Sequence, residues 1–168
     1  LSSAASDVYK RQNKQCEEHK KKEVKETSIK GVNVLLAEDN ELNMEIAEFV
    51  LESAGAKVIK AFNGKEALEI FKASEQGEID VILMDVMMPV MDGLEATRYI
   101  RLSNKENARD IPIIAMTANA FTEDRRRVLE AGMNEHLAKP LESEVLIEMI
   151  AKYCCLLYTS PSPRDRSL

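Results

Sequence analysis

Five short strand-like runs alternate along this chain with five stretches patterned for helices, and no other feature limits its fold as tightly. Val32–Ala37 (VNVLLA), Lys57–Phe62, Asp80–Met84, Ile111–Met116 and Glu135–Ala138 have the length and composition of strands. Between and after them, Asn40–Ala54 carries Leu42, Ile46, Phe49 and Val50 at helical spacing and stops before Gly55. Asn63 is placed to cap a helix running through Phe71, with Ala67, Leu68 and Phe71 turned inward. Gly93–Leu102 and Thr122–Ala131 read as helices, the second with Thr122 and Asp124 suited to its start. Glu142–Tyr153 is a last helix with Val145, Leu146, Met149 and Ile150 on one face. Strict alternation of this kind predicts βαβ units, hence a parallel sheet with helices on both faces. The first, third and fourth runs are apolar almost throughout, as strands covered on both faces must be.

In an open parallel sheet the ligand crevice lies beyond the carboxyl ends of the strands. Polar residues directly after the runs are therefore the candidates for function. Glu38 and Asp39 follow the first run, Asp85 the third, Thr117 the fourth and Lys139 the fifth. Taken singly each has a plain explanation: Asp39 or Asn40 as a helix cap, Thr117 as a turn residue, Lys139 as a solvated lysine. Together they fall at one edge of the sheet. Asp85 is the most telling, because it ends the run VILM and a lone buried carboxylate is costly unless paired or bound to a metal. Three carboxylates in one crevice repel and call for a cation, and hard oxygen ligands suit Mg²⁺. A carboxylate can also attack phosphorus to give an aspartyl phosphate. An ammonium and a hydroxyl would neutralise and hydrogen-bond the phosphoryl oxygens, and phosphoryl transfer needs little beyond positioning and charge stabilisation. The six glycines form no phosphate-binding loop, so the phosphoryl group is expected to come from a partner or a small donor.

Composition removes several alternatives. A net charge of −6 argues against a general nucleic-acid binder, which would favour a basic patch. No run is long enough to span a membrane, and the amino terminus lacks the pattern of a signal peptide. Cys16, Cys154 and Cys155 do not form a spaced metal-binding set, and His19 and His136 offer little for a histidine-based site. The cysteine usage favours a reduced, cytosolic setting.

Both ends look foreign to the rest. Ser2–Gln12 (SSAASDVYKRQ) and Cys155–Asp165 (CLLYTSPSPRD) resemble translations of the transposase adapters used in DNA sequencing libraries. AspValTyrLysArgGln can be encoded by GAT GTG TAT AAG AGA CAG, and the opposite strand in another frame gives CysLeuLeuTyrThrSer. One inverted element thus accounts for both. The expected organisation is an adapter-derived tail over residues 1–12, a charged linker over 13–30 containing EEHKKKEVKET, a folded domain over 31–153, and a second adapter-derived tail over 154–168, the whole being a fragment of a longer protein.

The stretches LLAEDNELN, ILMDVMMPVMDGLEA, IIAMTANAF and HLAKPL resemble, in order and spacing, the response-regulator receiver domain of two-component signalling. The resemblance covers about Gly31–Tyr153. It implies the flavodoxin-like (CheY-like) α/β fold, three layers, five parallel strands in the order 2-1-3-4-5 and five helices. It further implies that Asp85 is the phosphoacceptor, and that Asp39, Asp85 and the backbone carbonyl of Met87 ligate Mg²⁺ with support from Glu38. Thr117 and Lys139 would contact the phosphoryl group, and Lys139–Pro140 would be a cis peptide. Met87 and Asn119 sit where the family tunes dephosphorylation. Where the family has a switching aromatic, this chain has His136, which leaves the coupling open. EDNELN, MMPVMDGLEATR and MTANAF are most similar to receivers fused to hybrid sensor histidine kinases. The implied function is acceptance of a phosphoryl group from a phosphohistidine in a Mg²⁺-dependent phosphorelay, not catalytic turnover. The partners would be a histidine kinase or histidine phosphotransfer domain, and the domain would be cytoplasmic whether or not its parent is membrane-anchored. A stand-alone response regulator and an unphosphorylated docking module are the alternatives. A phosphatase with an aspartate nucleophile fits less well, since Met87 stands where such enzymes place a second acid.

Overall fold

The computed structural model of the chain describes residues 29–118 and 122–159. Both expected tails (save 154–159), almost all of the linker and Asn119 lie outside the described residues. The elements are β1 (Asn33–Ala37), α1 (Glu41–Ser53), β2 (Lys57–Ala61), α2 (Gly64–Ala73), β3 (Val81–Asp85), α3 (Gly93–Leu102), β4 (Ile113–Thr117), α4 (Thr122–Ala131), β5 (Glu135–Ala138) and α5 (Ser143–Thr159). The strands form one sheet in the order β2-β1-β3-β4-β5, every pairing parallel.

Side chains alternate across the sheet and build two cores. Leu35, Ile82, Met84 and Ile113 point to the layer holding α2, α3 and α4, where Phe71, Ile100 and Val128 meet them. Leu36, Leu83, Ile114 and Met116 point to the layer of α1 and α5, where Met44, Leu51, Leu146 and Ile150 meet them. β3 and β4 are buried at every position, because each has a strand on both sides and helices above and below.

Local chemistry sets the boundaries. Asn40 caps α1 by accepting from the Asn43 amide at 3.1 Å, and Asn63 caps α2 by accepting from the Glu66 amide at 2.8 Å. The Phe62 amide donates back to Glu66 at 2.7 Å, completing a reciprocal cap, so Phe62 leaves the predicted strand. β4 starts two residues later than predicted, since Pro112 has no amide hydrogen for the ladder. β3 takes in Asp85 and β4 takes in Thr117, so both polar residues are the last of their strands rather than the first beyond them. α2 continues to Ala73 and α5 to Thr159; the residues after Tyr153 contain no helix breaker before Pro161. Ile29 and Cys154 are both buried in the α1/α5 layer, so the packed unit reaches slightly beyond 31–153 at each end.

Two predicted helix faces need correction. On α1 the core face is Met44, Ala47 and Leu51, whereas Leu42, Ile46 and Phe49 are 65%, 50% and 73% exposed and Val50 is half-buried. The helix carries two apolar stripes, and the sheet takes the one whose small Ala47 permits close approach. On α5, Leu146 and Ile150 are buried, Met149 is half-buried and Val145 is exposed.

Candidate functional site

The carboxyl ends of β1, β3 and β5 bring Glu38, Asp39, Asp85 and Lys139 together. Glu38 and Asp39 follow β1 directly, and Glu38 is held in line because its amide donates to the Ala61 carbonyl at 3.0 Å. One carboxylate oxygen from each of Glu38, Asp39 and Asp85 lies within 4.8 Å of the other two. Glu38 and Asp85 are buried and Asp39 is exposed, so the cluster opens to solvent on one side.

Lys139 bridges the two buried acids. Its ammonium donates to Glu38 Oε2 at 2.7 Å and to Asp85 Oδ2 at 2.8 Å. The other oxygens are also occupied: Asp85 Oδ1 accepts from the Met87 amide at 3.1 Å and Glu38 Oε1 from the Asn40 amide at 3.2 Å. Burial raises the Glu38 pKa above the ordinary glutamate value, Lys139 pulls it back, and the charge of Asp85 raises it again. For Lys139, burial lowers the pKa, but the hydrogen bonds to Asp85 and Glu38 outweigh it and the net shift is upward. The ammonium therefore stays charged between the two acids.

The loop after β3 starts beside this cluster, where the Met87 amide meets Asp85. Val90 has φ +69, an uncommon conformation for a β-branched residue, and Met87 and Val90 are largely exposed. Gly93 returns the chain to the sheet: its amide donates to the Val86 carbonyl at 3.0 Å, and a Cβ there would stand 2.1 Å from the Asp85 carbonyl oxygen. Only glycine lets α3 begin this close to the end of β3. Gly64 plays the same part for α2, since a Cβ would stand 2.4 Å from the Met91 carbonyl oxygen.

Thr117 is buried at the end of β4, and the Lys139 amide donates to its carbonyl at 2.8 Å. The Lys139–Pro140 peptide is cis. His136 lies apart from the acids: it pairs with Ala115 in the sheet, and its Nδ1 is 3.6 Å from Glu135. Two clefts flank the acidic cluster. One of about 330 Å³ lies between α1 and the end of β5, lined by Glu38, Asn43, Ile46, Lys139 and Leu141 among others. The other, about 290 Å³, lies toward α4 and is lined by Met87, Thr117, Asp124 and Arg127 among others. A larger cleft of about 740 Å³ opens at the opposite edge of the sheet, near Lys72, Leu102 and Lys105, and touches none of the acids. The sequence did not point to the exposed stripe Leu42, Ile46 and Phe49 beside the first cleft. Its only signal was a helix with more apolar positions than one buried face requires.

The response regulator receiver domain family matches residues 34–151. The chain belongs to this family. It is 36% identical over 141 residues to the sensor protein GacS of Pseudomonas syringae pv. syringae, a match covering 83% of this chain and 15% of that protein. The chain thus spans under a fifth of that relative's length. Among solved structures it is similar to the receiver domain of the sensor histidine kinase PA1611 from Pseudomonas aeruginosa PAO1, crystallised with a magnesium ion coordinated in its active-site cleft. That match has 41% identity and a TM-score of 0.67, covering 74% of this chain and 98% of that one. It is also similar to the complex of the Saccharomyces cerevisiae histidine phosphotransfer protein Ypd1 with the receiver domain of Ssk1, at 32% identity and TM-score 0.68, covering 76% and 92%. The fold is the CheY-like receiver fold, and the domain is a receiver of two-component phosphorelay signalling, most like those carried by hybrid sensor histidine kinases. Among the described residues no helix is long and apolar enough to cross a membrane.

Proposed function

We propose that Asp85 accepts a phosphoryl group from a phosphohistidine, and that the chain is part of a hybrid sensor histidine kinase. The observation that carries this reading is the cluster of three carboxylates at the carboxyl edge of the sheet, two of them held by one ammonium. An Asp85 carboxylate oxygen attacks phosphorus, the bond from phosphorus to the imidazole nitrogen breaks, and its electron pair returns to the imidazole. The domain is an acceptor in this transfer; a donor's chemistry supplies the leaving group.

The donor set fits a hard divalent cation. Glu38, Asp39, Asp85 and the carbonyl of Met87 would hold Mg²⁺, which supplies neutralisation of the phosphoryl oxygens. Lys139 would turn from Glu38 toward a phosphoryl oxygen while keeping its place beside Asp85. Thr117, at the end of β4, would donate its hydroxyl to another. Met87, and with it Asn119, would set how readily water reaches the acyl phosphate. His136 is the candidate for relaying the change to the α4–β5–α5 side. The exposed apolar stripe Leu42, Ile46 and Phe49 beside the cleft supports docking of a helical donor, a histidine kinase or phosphotransfer domain, across α1. This setting is cytoplasmic, whether or not the parent is anchored in a membrane.

The test is intact mass of the chain after acetyl phosphate and Mg²⁺, with Asp85→Asn and a chelator as controls. The expected result is one phosphoryl adduct that requires Mg²⁺ and Asp85. Neither an adduct nor phosphate release in the folded protein would leave a docking module as the better description. Phe49→Ala should slow transfer from a phosphorylated histidine phosphotransfer domain by about ten-fold while leaving uptake from acetyl phosphate unchanged.

A further inference from the structure

We infer that Met87 is a peroxide-sensitive site whose oxidation shortens the life of the phosphoryl group on Asp85; the second half of this statement rests on the function proposed above. All eight methionines of the chain lie among the described residues, and they are not alike. Met44, Met84, Met116 and Met133 are buried, and Met88, Met91 and Met149 are half-buried. Met87 alone is exposed, at 76%. That one methionine is also tied to the functional centre: its amide donates to Asp85 Oδ1, and its side chain lines the cleft that Thr117 lines.

Peroxides oxidise accessible thioethers before enclosed ones. A sulfur lone pair attacks one peroxide oxygen, the O–O bond breaks, and the sulfur keeps that oxygen. The other oxygen leaves as hydroxide, or as alkoxide from an organic peroxide, and takes up a proton. Sulfur loses two electrons and the peroxide gains them. The product sulfoxide is polar and accepts hydrogen bonds where the thioether was apolar. At the mouth of the site it would hold water within reach of the phosphorus that Asp85 carries. The other methionines have no such route, because each is at least partly enclosed by core or loop.

The experiment treats the whole chain with hydrogen peroxide until one oxygen has been added on average. A thiol reductant then reverses cysteine oxidation, and peptide mapping locates the sulfoxide. Acetyl phosphate and Mg²⁺ are used to load Asp85, and loss of the adduct is followed by intact mass. The expected result is first oxidation at Met87 and a phosphoryl half-life shortened on the order of three-fold or more. Methionine sulfoxide reductases should restore the original half-life, and the half-life of Met87→Leu should not respond to peroxide. First oxidation at another methionine overturns the inference, as does an unchanged half-life in protein oxidised at Met87. Absence of any adduct before peroxide treatment, with no phosphate released, overturns the receiver reading and this inference with it, while the mapping alone still reports which methionine is reactive.

Discussion

The two edges of the sheet each hold a partly buried cation among oxygen atoms, and they hold it in opposite ways. At the carboxyl edge Lys139 faces two carboxylates, with a third close by. At the amino edge the Arg101 guanidinium donates to the carbonyls of Gly132 at 2.9 Å, Ala108 at 3.0 Å and Ile111 at 2.7 Å, and to Asn134 Oδ1 at 2.8 Å. Those acceptors are neutral. Burial accordingly lowers the Arg101 pKa, offset in part by the charge of Asp110, whereas Lys139 moves upward. Arg101 thus ties the end of α3, the α3–β4 connection and the α4–β5 turn through neutral acceptors. The carboxyl edge sets three carboxylates against one ammonium, leaving negative charge that a further cation would balance. One edge is built to stay as it is, the other to be rearranged.

Breaking the amino edge should cost the most stability. Arg101→Met leaves three carbonyls and an amide oxygen without their charged donor, and should destabilise the fold by about 3 kcal/mol or more. Urea unfolding measures this, and phosphoryl uptake per folded molecule should stay near the original value. Lys139→Met reverses the pattern. It should cost about 1–2 kcal/mol without metal, because two buried acids lose their shared hydrogen-bond donor. The same change removes a cation that competes for Glu38 and Asp85, so Mg²⁺ should bind several-fold more tightly, on the order of 1 kcal/mol, while phosphoryl uptake falls. Calorimetric titration with Mg²⁺ checks the first effect and intact mass the second. A Lys139→Met protein that bound Mg²⁺ more weakly would erase the distinction between the edges.

The acidic edge was legible in the sequence because strand ends are marked by abrupt changes from apolar to charged residues, as at Ala37–Glu38 and Met84–Asp85. The element order and sheet order followed from alternation and from the resemblance. The amino edge was not legible. Arg101 looks like any arginine in the last turn of a helix, and its acceptors are mostly backbone carbonyls, which every residue has and no sequence pattern distinguishes. The α1 face failed for another reason. With Leu42, Met44, Ile46, Phe49, Val50 and Leu51 on one helix, periodicity admits two stripes, and only packing against Leu36 and Leu83 selects Met44, Ala47 and Leu51. The glycine contacts at Gly64 and Gly93 depend on where another loop passes, which no local spacing encodes.

The finest test of the contrast is its pH dependence without metal. Glu38 has a folded pKa raised above 4.5, chiefly by burial. The folded state therefore holds this proton more tightly than the unfolded chain does. Stability from that preference is complete below the ordinary glutamate value and is lost as pH rises through the raised folded value. In a chelator, urea midpoints should thus carry a Glu38 component that declines from pH 4.5 toward neutrality. Glu38→Gln should remove that component, because a neutral amide keeps its place at every pH. Mg²⁺ should turn the trend around, since the cation binds the deprotonated cluster and its affinity grows over the same range. Parallel profiles in chelator for the original protein and the Glu38→Gln variant would mean that Lys139 alone balances the buried acids. The carboxyl edge would then be as permanently satisfied as the amino edge, and its readiness for a cation would have to come from Asp39, the exposed member of the cluster.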